Sequence, residues 1–179
     1  MKEFPSFEEP TLVNALICFF DLTGFAATAR KMADPIKMFR FMQGIAEITD
    51  NIITATNGYI VKYIGDAGLI LYPDELTDEG VHALIRLQQQ LHEFIKSREM
   101  NNRVSFSLHF GEIAIGKYKP FDTLDLIGDA ANIAATLGRG SGNQFKGRFV
   151  MSPQVFRKLK PETRKLVHKF TPPIVYVLE

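Results

Sequence analysis

Residues Gly58–Pro73 read GYIVKYIGDAGLILYP, in which two apolar, β-branched runs, Tyr59–Ile64 and Leu69–Tyr72, flank the tetrapeptide Gly-Asp-Ala-Gly. Two apolar runs separated by a short glycine-containing segment predict a β-hairpin, because glycine lets the backbone turn sharply. The acid in this turn, Asp66, has two interpretations. A turn aspartate commonly caps its own backbone, but a carboxylate between two buried strands also suits a bound group such as a metal ion.

A second acid ends another apolar strand, Leu12–Asp21, which contains the run LICFFD. Two carboxylates at the ends of buried strands can meet at one edge of a sheet, where they suit a divalent cation bound to phosphate. The next residues, Thr23, Gly24 and Phe25, turn the chain into a short helix predicted over Ala26–Met32. We expect backbone N–H groups at this helix start to hold phosphate oxygens.

Composition limits the class of protein. The chain has 179 residues, of which 46% are hydrophobic, with 21 basic and 20 acidic residues. We expect a loosely held lead-in over residues 1–12 and a single domain over residues 13–179. The balanced charge gives no indication of nucleic-acid binding or direct membrane contact. We also expect a cytoplasmic protein or the cytoplasmic domain of a larger one, with a fused or partner regulatory domain, because no apolar run matches a membrane span or signal peptide.

Cys18 is the only cysteine, which excludes a disulfide within the chain and a multi-cysteine zinc site. His109 and the other histidines are not at metal-ligand spacing, so a structural role is expected for them. The segment Gly138–Gly142, GRGSG, indicates a flexible turn rather than a phosphate loop, because a strand before it and a helix after it are missing.

The order of elements predicts the fold class. Helices are expected over Asp34–Asn57 and Asp74–Lys96, the first capped by Asp34 and ended by a left-handed Gly58. Its Met, Ile and Phe stripe suits either the core or a partner contact. The remaining elements are strands Val104–Phe110, Leu124–Ile127, Arg148–Met151 and Ile174–Leu178, helices Ala130–Leu137 and Ser152–Leu159, and a solvated basic segment Lys160–Lys169. Together these elements predict an α+β sandwich with a ferredoxin-like βαββαβ core and a C-terminal extension.

Three stretches together resemble the class III nucleotidyl cyclase catalytic domain: Phe20–Phe25 (FDLTGF), Lys62–Ala67 (KYIGDA) and Gly128–Ala135 (GDAANIAA). The resemblance extends from about Val13 to the C-terminus, and His109–Gly116 is similar to a further strand of the family. It implies that a ribose 3′-hydroxyl attacks the α-phosphorus of a nucleoside triphosphate and that pyrophosphate leaves. It also implies two Mg²⁺ or Mn²⁺ per site, held by Asp21, Asp66 and the backbone carbonyl of Leu22.

The resemblance further implies that Lys62 and Asp125 select the base. A lysine can donate to the adenine N1 acceptor, and an aspartate can accept from the exocyclic amine. Guanine presents the opposite pattern at these two positions, and guanylyl cyclases of the family usually carry Glu and Cys there. The substrate is therefore expected to be ATP rather than GTP.

The family's remaining site residues map less completely. Asn132 matches the residue that orients the ribose, but Thr136 stands where the family has an arginine that stabilises charge on the α-phosphate. Losing one aimed donor typically costs on the order of 10²–10³ in rate. Arg139, three residues later, is a candidate substitute, although the helix should end beside it. Lys169 approximately matches a lysine that binds the terminal phosphates.

Family sites form between two subunits, one supplying the metal acids and the other the base-selecting pair and the asparagine. Because this chain has both halves, the resemblance implies a homodimer with two equivalent sites. The rival interpretation is a catalytically weak or inactive cyclase-like domain that binds nucleotide and regulates by dimerising. Thr136 is its main support. A plain ferredoxin-like interaction module is a third interpretation, which leaves the matching polar residues unexplained.

Overall fold

The computed structural model describes residues 9–137, 145 and 147–178. Its strands are β1 Thr11–Leu22, β2 Tyr59–Ile64, β3 Ala67–Pro73, β4 Val104–Tyr118, β5 Thr123–Ile127, β6 Phe149–Met151, β7 Val167–Phe170 and β8 Val175–Leu178. Its helices are α1 Phe25–Met32, α2 Pro35–Ala55, α3 Thr77–Ser97, α4 Asp129–Leu137, α5 Pro153–Lys158 and α6 Pro161–Arg164, with a 3₁₀ turn at Asp74–Leu76.

These strands form one sheet in the order β2-β3-β1-β4-β6-β8-β7, and β5 pairs with the C-terminal half of β4. The first four strands in the chain pair with one another only in antiparallel fashion and lie in the order β4-β1-β3-β2. With α2 before the β2–β3 hairpin and α3 after it, this is the ferredoxin-like βαββαβ core that the sequence predicts. The parallel pairing of β4 with β6 starts the C-terminal extension.

Apolar residues cover both faces of β1. Leu16, Cys18 and Phe20 belong to one cluster with α2 and α3, whereas Ala15 and Ile17 belong to a second cluster with β5 and α4. Successive side chains of a strand point to opposite faces, so an uninterrupted apolar run is what a strand covered on both sides requires. The apolar stripe of α2 is core, since its buried members join the first cluster.

Asp34 caps α2 as predicted: its Oδ1 accepts hydrogen bonds from the backbone N–H groups of Ile36 and Lys37, each at 3.0 Å. The prediction for the other end of α2 is wrong. Asn57, with φ of 56°, takes the left-handed conformation expected for Gly58. Gly58 is needed for space instead, because a Cβ there would lie 2.5 Å from Cζ of Tyr72.

Two further elements differ from the predicted ones. β4 continues for 15 residues through Gly111 and Gly116, well beyond the predicted end at Phe110. A Cβ on Gly111 would lie 2.8 Å from the Cβ of Ala130, so this glycine permits close packing of α4 rather than a turn. The basic segment Lys160–Lys169 is mostly exposed, as predicted, but it contains regular structure that was not predicted, namely α6 and most of the edge strand β7.

Candidate active site

The β2–β3 hairpin brings two carboxyl groups together. Asp21, near the end of β1, is paired with Ala67, so it lies beside the turn residue Asp66. Burial raises the pKa of Asp66, while hydrogen bonds from its own backbone and from the Asp21 side chain oppose that rise. Two carboxyl groups in such contact repel each other when both are ionised, unless a proton or a cation lies between them.

The chemistry of this pair fits Mg²⁺ or Mn²⁺, which prefer oxygen ligands and are commonly held by one or two carboxylates together with substrate phosphates and water. Within the described parts of the chain, no group of three or more His, Cys, Asp and Glu side chains is placed to hold a metal ion. A cation here would therefore take its other ligands from the Leu22 carbonyl, from water or from a bound phosphate.

The loop after β1 leads into α1 in a conformation that suits an anion. Gly24 precedes α1 with φ of 73°, and α1 has neither a side-chain cap nor an acid in its first turn. Uncapped N–H groups at a helix start carry partial positive charge and favour phosphate oxygens. The loop is tied to the residue before β4: the N–H of Thr23 donates to the Arg103 carbonyl at 2.8 Å, and the N–H of Arg103 donates to Thr23 Oγ1 at 2.9 Å.

Lys62 of β2 and Asp125 of β5 form an ion pair, with Lys62 Nζ at 2.7 and 2.6 Å from the two carboxylate oxygens. Val61 of β2 and Leu124 of β5 both pack against the second apolar cluster, which brings the two strands near each other. Asp125 Oδ1 also accepts the N–H of Leu126 at 2.8 Å, which fixes the carboxylate. The structure therefore brings the two predicted base-selecting residues together in one chain.

Asn132 and Thr136 lie one turn apart on α4, and both are exposed. The Thr136 hydroxyl donates to the Asn132 carbonyl at 2.8 Å and is 3.3 Å from the carbonyl of Ile133. A threonine hydroxyl bonded to its own helix is not directed at a ligand. Arg139, the candidate substitute for the family arginine, lies outside the described residues.

Lys169 is not close to Asp21 within one chain. It is exposed on β7 opposite Tyr176, whose ring packs with the α2 and α3 cluster. Because paired residues share a face, Lys169 points away from the face that α4 covers. β7 is also separated from β1 by four strand spacings of about 4.8 Å, roughly 19 Å in all.

The structure adds two residues that the sequence reasoning missed, Asn102 and Arg103. Asn102 Nδ2 donates to the Thr23 carbonyl at 2.7 Å, and Arg103 is exposed beside the same loop. The sequence feature that could have indicated these two residues is the polar triplet Asn101–Arg103, which stands immediately before a buried strand. In the ferredoxin-like order that strand is the neighbour of β1, so its first residues must lie beside the end of β1.

Comparison with known proteins gives concordant results. Residues 8–171 match the family described as the adenylate and guanylate cyclase catalytic domain. An adenylate cyclase of Anabaena cylindrica is 32% identical over 161 residues, 84% of this chain and 32% of that protein. A receptor-type guanylate cyclase of Caenorhabditis elegans is 23% identical over 142 residues, 73% of this chain and 12% of that protein. The adenylyl cyclase CyaB of P. aeruginosa has the same fold, with a TM-score of 0.80 at 13% identity and 96% of each chain covered.

The chain spans about a third of the Anabaena relative and about an eighth of the nematode one. Among the described residues, no helix is both long enough and apolar enough to cross a membrane.

Proposed function

Since this chain belongs to the adenylate and guanylate cyclase catalytic domain family, we propose that it is an adenylate cyclase that converts ATP to 3′,5′-cyclic AMP and pyrophosphate. The observation that carries the choice of ATP is the contact between Lys62 and Asp125. It places a donor and an acceptor side by side, as the N1 atom and the exocyclic amine of adenine require. The adenylate cyclase relative supports the same choice.

In the proposed reaction the ribose 3′-oxygen forms a bond to the α-phosphorus, the hydroxyl proton passes to water, and the bond from that phosphorus to the pyrophosphate oxygen breaks. Asp21, Asp66 and the Leu22 carbonyl would hold two Mg²⁺ or Mn²⁺. When bound, these ions lower the pKa of the 3′-hydroxyl and neutralise phosphate charge. Backbone N–H groups of Gly24 and Phe25 at the start of α1 bind phosphate oxygens.

The remaining chain residues fix the nucleotide. Lys62 donates to the adenine N1 atom, Asp125 accepts from the exocyclic amine, and Asn132 orients the ribose. Arg103 contributes through its backbone, whose N–H bonds to Thr23 Oγ1, since its side-chain carbons lie beside Gly147. Lys169 is the weakest member of the proposed set, because its strand directs it to the other face of the sheet.

The proposed activity is reduced by the absence of the family arginine at position 136. Thr136 carries no charge, and its hydroxyl is used within α4. Nothing at that position then stabilises the charge that develops on the α-phosphate. We expect a rate on the order of 10²–10³ below that of a site with an aimed cationic donor.

The proposed site is shared between two copies of the chain. Asp21 and Asp66 of one subunit act on a nucleotide held by Lys62, Asp125 and Asn132 of the other. A closed symmetric dimer then has two equivalent sites, because each chain contains both halves.

A catalytically weak or inactive regulatory domain that binds nucleotide is the second candidate, and Thr136 is the observation that favours it. Guanylate cyclase activity is a variant of the first candidate, since the nematode relative is a guanylate cyclase.

The deciding experiment is turnover by the purified chain with ATP and GTP side by side, in the presence of Mn²⁺. Cyclic AMP as the main product supports the proposal, and cyclic GMP as the main product overturns the assignment of ATP. If neither product forms at high protein concentration while ATP still binds, the regulatory alternative replaces the enzyme.

A further inference from the structure

The side-chain amide of Asn102 joins the loop before α1, residues Thr23 and Gly24, to α1 itself. This loop is the one proposed to bind phosphate. Its Nδ2 donates to the carbonyl of Thr23 at 2.7 Å, and its Oδ1 accepts the hydroxyl of Thr28 at 3.0 Å. Thr23 lies before α1 and Thr28 lies within it, so one amide spans the turn into the helix. Asn102 itself is 8% exposed, and its backbone belongs to the segment between α3 and β4.

Only one orientation of this amide satisfies both contacts. A backbone carbonyl can accept a hydrogen bond but cannot donate one, so the nitrogen must face Thr23 and the oxygen must face Thr28. Removing the amide leaves a carbonyl and a hydroxyl of the loop without these partners, and such polar groups are costly when water cannot replace the lost bond.

Three of the loop's hydrogen bonds converge on Thr23. Besides the bond from Asn102, its N–H donates to the Arg103 carbonyl and its Oγ1 accepts the N–H of Arg103. Gly24 follows with φ of 73°, and a Cβ there would lie 3.9 Å from Asn102 Nδ2, in ordinary van der Waals contact. The hydrogen bonds from the α3–β4 segment therefore hold the turn, together with the left-handed backbone of Gly24.

We infer that Asn102 is a positioning residue, whose buried amide holds the loop so that the Leu22 carbonyl and the first N–H groups of α1 face one point. Its effect on turnover rests on the proposed function, whereas its effect on the loop does not. Groups that orient the ligands of a metal site typically account for 10- to 100-fold in affinity or activity. We expect Asn102→Ala to lower turnover and metal affinity within that range.

The test compares Asn102→Ala with Asn101→Ala in the full chain without added metal. Asn101 is the adjacent residue of the same type and is exposed, so it is a matched control. Amide hydrogen exchange is measured by mass spectrometry over residues 22–28 and over the central strands. We expect faster exchange at 22–28 in Asn102→Ala alone, with unchanged exchange in β1 residues 14–18 and β4 residues 106–110.

Thr28→Val provides a second test if Asn102→Ala does not fold. Valine keeps the shape of threonine but cannot donate to Asn102 Oδ1, so only one bond is removed. The variants are then assayed for turnover with ATP over a range of Mn²⁺ concentrations, where a raised Mn²⁺ requirement at similar stability separates positioning from general destabilisation.

Unchanged exchange at residues 22–28 in folded variants of Asn102 and Thr28 overturns the inference. A loosened loop with unchanged turnover and Mn²⁺ requirement overturns its catalytic part. If the wild-type chain makes no cyclic nucleotide, the proposed function fails, but the exchange experiment still decides whether Asn102 holds the loop.

Discussion

The ammonium group of Lys62 contacts both carboxylate oxygens of Asp125 and so joins β2 to β5, two strands that are not hydrogen-bonded to each other. One partner is anchored further, because Asp125 Oδ1 accepts the N–H of Leu126. In the proposed site, this donor and acceptor would discriminate between bases by the pattern of hydrogen bonds rather than by size.

Reversing that pattern should change the preferred nucleotide. In the double variant Lys62→Glu, Asp125→Cys, the glutamate accepts from N1–H of guanine. The cysteine no longer provides the carboxylate acceptor that favours the exocyclic amine of adenine. Each mispaired hydrogen bond costs about 1–3 kcal/mol, so the ratio of kcat/KM for ATP over GTP should fall by at least about 10- to 100-fold. Steady-state kinetics with both nucleotides measure this ratio, and Lys62→Ala is the control that breaks the ion pair without reversing it. A double variant that still prefers ATP as strongly as the wild type excludes this pair as the selector.

The two carboxylates should be individually indispensable. Asp21→Ala or Asp66→Ala is expected to abolish turnover and metal-dependent nucleotide binding, since each removes one of the two side-chain ligands proposed for the metals. Burial raises the pKa of Asp66, so its removal should not destabilise the metal-free fold, and circular dichroism checks this. Glu93→Gln, on an exposed part of α3, is the matched loss of a carboxylate elsewhere. Near-normal turnover in either alanine variant contradicts the proposed metal site.

Much of this arrangement could be predicted from the sequence, because strand and helix periodicity determine the βαββαβ order. Once β1, β3 and β4 are neighbours, Asp21 must lie next to the hairpin turn. The edge strand β7 was missed because edge strands often carry exposed polar residues, as His168 and Lys169 do here, and so lack an apolar pattern.

Close approaches between distant segments could not be predicted. Gly58 and Gly111 leave room for Tyr72 and Ala130, respectively, and nothing in the local sequence indicates those neighbours. The role of Asn102 depends on Thr23 and Thr28, which are more than 70 residues away in the chain. Such contacts follow from the tertiary arrangement rather than from any local spacing.

Restoring a positive charge at position 136 should raise the rate. Thr136 is exposed, and its only described hydrogen bonds go to carbonyls of its own helix, so Thr136→Arg should fold normally. If the missing charge limits turnover, kcat should increase by up to about 10²–10³, with a smaller change in KM. Thr136→Gln supplies a comparable length without charge and should give no such increase. An unchanged kcat in Thr136→Arg refutes the idea that this position limits the rate.

Acid should destabilise the fold through His92. Burial lowers the pKa of His92, the charge of Arg103 lowers it further, and Nε2 accepts the N–H of Val104 at 2.9 Å. A lowered folded-state pKa means that the unfolded chain takes up a proton first, so the free energy of unfolding should fall as pH drops below about 6.5. His109, whose pKa burial also lowers, contributes with the same sign.

Urea unfolding between pH 7.5 and 5 measures this dependence. His92→Gln keeps an acceptor for the Val104 N–H but does not titrate, so its unfolding free energy should depend less steeply on pH than that of the wild type. His168→Gln, on the exposed face of β7, is the control and should leave the slope unchanged. If the unfolding free energies of the wild type and His92→Gln depend equally steeply on pH, His92 does not contribute to the loss of stability in acid.

Mixing two inactive variants should restore activity if the site is shared between subunits. Asp21→Ala lacks a metal ligand but keeps the nucleotide-holding residues, whereas Asn132→Ala has the opposite defect. In an equimolar mixture with free subunit exchange, half of the dimers are mixed and each of these has one complete site of two, so about a quarter of the wild-type activity should return. The measurement is turnover of the mixture against each variant alone, with co-purification of differently tagged chains to establish exchange. A mixture that exchanges and yet remains inactive argues for a site contained within a single chain, because only then do both defects stay uncorrected.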